Sequence, residues 1–215
     1  MKRQLNLRLY VVTDRSWLNG KQLEEDVEEA ILGGATIVQL REKNLSSGDF
    51  LATAEKVKQT TDRYHIPLII NDRLDIALAV DAAGLHIGQR DLPPLTARRL
   101  LGPEKILGVS VTNQEEALQA EKDGADYLGA GAVFPTETKQ DASYVDYDKL
   151  QKITRAVKIP VVAIGGINET NALQLKDSGI KGIAVVSAVF AENHPRKAAE
   201  TMKKMVETIV EEAID

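Results

Sequence analysis

Eight short runs of apolar, β-prone residues recur along this chain, each followed by a stretch with the spacing of an amphipathic helix. The expected strands are Leu9–Thr13, Ile37–Leu40, Leu68–Ile70, Leu85–Ile87, Ile106–Val109, Tyr127–Ala130, Val161–Ile164 and Ile183–Val186. The expected helices are Gln22–Leu32, Gly48–Tyr64, Leu74–Val80, Leu95–Leu101, Asn113–Lys122, Tyr147–Val157, Glu169–Lys176 and Arg196–Ala213. Such alternation asks for parallel strands, because every helical crossover carries the chain back to the end from which it started.

Two architectures accommodate that pattern. An open doubly wound sheet usually shows a glycine-rich phosphate loop after its first strand, but here the first strand runs into Thr13-Asp14-Arg15. In contrast, strands two, four, six and eight are preceded by Gly34, Gly84, Gly124 and Gly179, where a left-handed helix cap costs glycine least. Strands three and seven are preceded by Ile66-Pro67 and Ile159-Pro160. Alternation of the two kinds of entry suits a closed barrel whose interior layers draw on alternate strands. A single (β/α)8 TIM barrel spanning residues 1–215 is therefore expected, within the size of one domain.

Composition narrows the function classes. With no cysteine, disulfides, thiolate catalysis and cysteine-ligated metals are excluded together, and three histidines spread along the chain argue against a multi-histidine metal site. A net charge of −5, a pI near 5.4 and an aromatic content of 4% lack the basic stripe of a nucleic-acid binder. No apolar stretch approaches a membrane span, and the first residues do not read as a signal peptide, so a cytoplasmic location is expected.

Active sites in this barrel are built at the C-terminal ends of the strands, and here nearly every strand delivers polar groups to that rim. In Gln39–Lys43 (QLREK) an extended chain would send Gln39, Arg41 and Lys43 the same way, so two cations would meet a polyanion there. A blander alternative has Gln39 inside the barrel and the cations paired with neighbouring acids. Asn71-Asp72 ends the third strand and Asp91 follows the fourth. Adjacent strands lie about 4.8 Å apart, so Asp72 and Asp91 can reach one hard cation such as magnesium, which generally takes one or two carboxylates plus phosphates and water. For Asp91 alone, a helix cap before Leu92-Pro93-Pro94 is the competing reading.

The longest connection runs from Gly131 to about Asp146, and connections of that length are usually functional or disordered. It carries Thr136, Thr138 and Lys139, two hydroxyls and an ammonium suited to an anion, and is expected to act as a closing lid. After strands seven and eight, Gly165-Gly166 and Val186-Ser187 occupy positions at which many barrels bind phosphate through backbone N–H groups. His86 reads as a packed or hydrogen-bonded strand residue, and His65 falls at the opposite rim.

QLREK, INDR, HIGQRD, GVS, FPTETK, AIGGI and VVS occur in this order over nearly the whole chain, and together they resemble the thiamine-phosphate synthase family. That resemblance implies a transferase joining 4-amino-2-methyl-5-hydroxymethylpyrimidine diphosphate to 4-methyl-5-(2-phosphoethyl)thiazole, with release of pyrophosphate. It implies that Gln39, Arg41, Lys43, Asn71, Ser110 and Lys139 hold the pyrimidine diphosphate, with Leu40, Glu42 and Glu137 also among the substrate-binding residues. Thr136, Thr138, Gly166, Val186 and Ser187 would hold the thiazole phosphate, and Asp72 and Asp91 a magnesium cofactor. Lys139, Arg41, Lys43 and Ser110 would act directly in catalysis. Small-molecule substrates are the expected partners, with no nucleic acid and no membrane, and homo-oligomerisation is left open. Two rivals remain at this stage. A related thiazole tautomerase family shares the barrel but carries a histidine shortly after the GxS strand end, where Thr112 stands here. A non-catalytic phosphate-ligand sensor would have no use for paired Asp72 and Asp91 beside Lys139.

Overall fold

The computed structural model describes residues 5–18, 20–136 and 144–210. Eight parallel strands close on themselves in sequence order: β1 Leu9–Val12, β2 Ile37–Leu40, β3 Leu68–Asn71, β4 Gly84–Ile87, β5 Ile106–Val111, β6 Tyr127–Ala130, β7 Val161–Ile164 and β8 Gly182–Val185. Closure is made by β1 against β8, with Leu9 opposite Ile183 and Val11 opposite Val185. The outer ring consists of α1 Leu23–Leu32, α2 Ser47–Arg63, α3 Leu74–Ala79, α4 Pro94–Leu101, α5 Gln114–Lys122, α6 Tyr147–Ala156, α7 Ser187–Phe190 and α8 Pro195–Val210. Among the described residues no helix is long and apolar enough to cross a membrane.

The period-2 alternation of each strand divides the core in two. One face, including Val11, Val38, Leu40, Ile70 and Leu85, packs under the helices with Phe50, Leu150 and Val206. The other face fills the barrel with Tyr10, Val12, Ile37, Ile69, Tyr127 and Val162. Two glycines set the interior packing around the largest of these. A Cβ on Gly108 would lie 2.1 Å from Tyr127 Cζ and 2.5 Å from His86 Nδ1, and one on Gly129 would lie 3.2 Å from His86 Cε1. The register puts His86 opposite Gly108, and Gly108 opposite Tyr127, so small residues on β5 and β6 admit the two rings.

Three expectations need correction. Gly84 is not a cap: it lies inside β4, where a Cβ would meet the Ile106 carbonyl oxygen at 2.2 Å. The left-handed position before that strand is taken by Asp81, at φ 51°, whereas Gly34, Gly124 and Gly179 do have positive φ. The expected helix over Glu169–Lys176 is reduced to a 3₁₀ turn, Ala172–Leu175, because Asn168 and Asn171 are engaged in loop bonds: Asn168 N–H donates to Asn171 Oδ1, and Asn171 Nδ2 to the Gly166 carbonyl. Strand β8 stops at Val185, and Val186 precedes the short helix α7, which periodicity did not reveal.

Candidate active site

A cavity of about 680 Å³ opens at the C-terminal ends of the strands. Gln39, Arg41 and Lys43 all line it, although β2 ends at Leu40. Alternation continues past the strand because the loop is pinned: Arg41 N–H donates to Thr13 Oγ1 at 3.0 Å, and the Glu42 carboxylate turns outward to Arg15, 2.9 Å from Nη2. Leu40 is fully buried beneath the helices. The side chains of Leu40 and Glu42 are not among those that line the cavity.

Strand β3 ends in Asn71, buried and lining the cavity, and Asp72 follows in the left-handed region at φ 61°. Asp tolerates this conformation better than most residues, and the main chain holds it there, with Asp72 N–H donating to the His86 carbonyl at 2.8 Å. Arg73 turns away instead, to Asp75, Ser47 and the ring of Phe50. After β4, Asp91 accepts from Gly88 N–H at 2.7 Å and lines the cavity. The N-cap of α4 is Pro93, with no side-chain cap bond, so capping does not explain Asp91.

Asp72 and Asp91 stand together on the cavity wall, and Lys43 Nζ lies 2.5 Å from Asp72 Oδ2. Burial works against ionisation of Asp72, but the Lys43 hydrogen bond, the neighbouring Asp91 carboxyl and the nearby positive charge hold its carboxyl below the usual range. Asp91 is pushed up by burial, partly opposed by the Gly88 N–H, and by the neighbouring Asp72 carboxylate. Hard carboxylate oxygens beside Arg41 and Lys43 are of the kind that could hold a magnesium ion, which generally draws its other ligands from phosphate and water. No set of three or more His, Asp or Glu side chains gathers for a metal among the described residues.

On the side of β7 and β8, across the barrel from β3 and β4, stand Gly165, Gly166, Val186 and Ser187, and Thr136 also lines the cavity. Gly165 and Gly166 have φ 101° and 67°. A Cβ on Gly166 would lie 2.3 Å from the Pro135 carbonyl oxygen and 2.8 Å from that of Phe134. The need for glycine is thus set first by the loop after β6, which packs onto this turn, rather than by open space for a ligand. Glu137, Thr138 and Lys139 lie outside the described residues.

Ser110 lies within β5, not beyond it, and its Oγ is 2.9 Å from His86 Nε2. His86 is hydrogen-bonded as expected, yet it also lines the cavity, as do Gln89, Arg90, Thr112 and Glu116. Gln89 donates to the Ser110 carbonyl, and Glu116 accepts from both Thr112 N–H and its hydroxyl. The run HIGQRD held the signal for Gln89 and Arg90, whereas Glu116 comes from the first turn of α5 and had none.

A family model described as thiamine monophosphate synthase matches residues 9–189. The chain is 54% identical over 213 residues to a thiamine-phosphate synthase of Ruminiclostridium cellulolyticum, covering 99% of this chain and 100% of that one. It is also 54% identical over 200 residues to the thiamine-phosphate synthase of Clostridium tetani, covering 93% and 96%. The solved thiamine phosphate pyrophosphorylase of Pyrococcus furiosus superposes with a TM-score of 0.88 at 46% identity, covering 96% of this chain and 98% of that one. With matches of this extent over the whole barrel, the chain belongs to the thiamine monophosphate synthase family of transferases.

Proposed function

We propose that the protein condenses 4-amino-2-methyl-5-hydroxymethylpyrimidine diphosphate with 4-methyl-5-(2-phosphoethyl)thiazole to give thiamine phosphate and pyrophosphate. One observation carries this reading: a single cavity has Arg41, Lys43, Asp72 and Asp91 on one wall and Gly165, Gly166, Val186 and Ser187 on the other. A diphosphate at the first wall and a monophosphate at the second would bring the reacting carbon and nitrogen between them.

The thiazole nitrogen attacks with its own lone pair and needs no base. The C–O bond to the diphosphate breaks with its electron pair leaving on pyrophosphate, and the new C–N bond leaves the positive charge on the thiazolium. Departure of the diphosphate ahead of attack gives a pyrimidine methyl cation, stabilised by the ring amino group. Arg41 and Lys43 would neutralise the leaving group, Ser110 would donate a hydrogen bond to it, and Lys139 would add a further cation on sequence grounds. These charges act by preorganised electrostatics, and the walls act by positioning. A magnesium ion held by Asp72 and Asp91 would supply further neutralisation of the diphosphate. A mixture of both substrates with magnesium should give thiamine phosphate and pyrophosphate, with neither product in EDTA or when one substrate is omitted. Isomerisation of a thiazole alone would favour the tautomerase, and binding without turnover a sensor.

A further inference from the structure

A continuous line of hydrogen bonds crosses the barrel interior below the cavity. Gln39 Nε2 donates to Tyr10 Oη at 2.7 Å, Tyr10 Oη lies 2.7 Å from Tyr127 Oη, Tyr127 Oη lies 2.9 Å from His86 Nδ1, and His86 Nε2 lies 2.9 Å from Ser110 Oγ. Both of its ends, Gln39 and Ser110, line the cavity, while both phenols are entirely enclosed.

We infer that this line has a fixed direction, set by the Gln39 amide, and that Tyr10, Tyr127 and His86 are positioning residues that make Ser110 a hydrogen-bond donor to the anionic substrate. The direction follows from counting protons. An amide NH₂ can only donate, so Tyr10 Oη accepts from Gln39 and spends its single proton on Tyr127 Oη. Tyr127 Oη, having accepted, gives its proton to His86 Nδ1. A neutral imidazole that accepts at Nδ1 carries its hydrogen on Nε2, so His86 donates to Ser110 Oγ. The serine hydroxyl proton is then released toward the cavity. With the amide nitrogen on Tyr10, the reverse direction would set two donors face to face, which is costly in a closed interior; it would require the amide to turn its oxygen onto Tyr10.

Burial raises Tyr10 well above the ordinary phenol range, the Tyr127 and Gln39 hydrogen bonds opposing it only in part, and burial followed by the adjoining Tyr10 raises Tyr127 in the same direction. Both phenols thus stay protonated, and the line transmits orientation rather than charge. Gly108 and Gly129 serve the same arrangement, since a Cβ on Gly108 would strike Tyr127 and His86 and one on Gly129 would press on His86.

The ligand contacted by Ser110 rests on the function proposed above, but the direction of the line does not, and it is testable without substrate. The intact protein has three histidines, of which His65 and His194 are exposed. Ring-¹⁵N labelling with long-range ¹H–¹⁵N correlation should therefore resolve His86, assigned as the signal that survives in His65→Asn and His194→Gln. The expected pattern is a hydrogen on Nε2 and a bare Nδ1; a hydrogen on Nδ1, or on both nitrogens at neutral pH, would overturn the inference. In Tyr127→Phe, His86 loses the donor at Nδ1, and its signal should move toward a mixture of tautomers. Ser110→Ala should lower kcat/KM by about ten- to a hundredfold, as for loss of a hydrogen bond to a charged group, and Tyr127→Phe should reproduce part of that loss. Their double variant should be no worse than Ser110→Ala. Multiplying losses, or an unchanged His86 tautomer in Tyr127→Phe, would show that the tyrosine acts only through packing. Should Tyr127→Phe fail to fold, the wild-type spectrum still decides the direction, and Tyr10→Phe tests the same break one link earlier.

Discussion

The ammonium of Lys43 lies 2.5 Å from a carboxylate oxygen of Asp72, joining the ends of β2 and β3 inside the cavity. Lys43 was expected to meet a diphosphate and Asp72 a cation, so their pairing makes each the stand-in for the other's ligand. Substrate and magnesium arriving together would exchange one ion pair for two. Either arriving alone would strand a charge, so binding of the two should be mutually favourable. Titration of magnesium with and without the pyrimidine diphosphate checks this, and Lys43→Ala should tighten magnesium binding in the absence of substrate while weakening the diphosphate.

Asp91 gives a pH signature. Its carboxyl is held above the usual range by burial and by Asp72, so the stability it contributes is present while it is protonated and is lost as pH rises through its folded pKa. Without magnesium, Asp91→Asn should be slightly more stable than wild type at neutral pH and indistinguishable at acid pH. The gain is expected to be about 2 °C or less in Tm, since the group is only partly shielded from solvent. If Asp91 is a ligand, magnesium would displace its proton, and its affinity for the wild-type protein should fall as pH is lowered. Thermal denaturation with and without magnesium across pH measures both effects.

Gly166 offers a test of packing against ligand contact. A side chain there meets the carbonyls of Phe134 and Pro135 and must adopt φ 67°. Gly166→Ala should therefore lower stability by about 1–3 kcal/mol, typical of left-handed strain in a residue other than glycine, and should displace the loop after β6 as well as weakening thiazole phosphate. A fall in affinity for thiazole phosphate with an unchanged Tm would mean that the ligand, not the loop, demands the glycine.

What could be read from the chain and what could not separates along physical lines. Strand cores and the rim to which Asp72, Asp91 and Ser110 belong follow from period and parallel connection, and the structure places all three on one cavity. Glu42 could not be read, because its outward turn depends on Arg15, which is remote in sequence. His86 was legible as a hydrogen-bonded residue, but its partners Tyr127 and Ser110 come from β6 and β5, and only the barrel's closure and register bring them to it. The reason for Gly166 was equally hidden, since the atoms a Cβ would strike belong to a loop some thirty residues earlier.

Lys139 lies outside the described residues, so its prediction rests on chemistry and sequence. If it neutralises the leaving diphosphate, Lys139→Ala should slow the chemical step by about 10²–10³, the usual cost of one preorganised donor, with little change in Tm. Single-turnover rates within a few-fold of wild type would remove Lys139 from the mechanism.

The metal assignment yields the sharpest pair of variants. Asp72 and Asp91 come from neighbouring strand ends and line the same cavity, and the Asp72 carboxylate works against ionisation of Asp91, a cost that a shared cation would relieve. Asp72→Asn and Asp91→Asn should each raise the magnesium concentration needed for turnover and reduce the rise in Tm that magnesium produces in the free protein. Because both act through one ion, the double variant should add little beyond the worse single. Lys43 complicates only the Asp72 arm: freed of its partner, it will favour the diphosphate and oppose the cation, so Asp72→Asn should show the larger magnesium deficit and the smaller loss of diphosphate affinity. Fully additive losses, or turnover that persists in EDTA, would mean that the two carboxylates hold the loops after β3 and β4 and bind no metal.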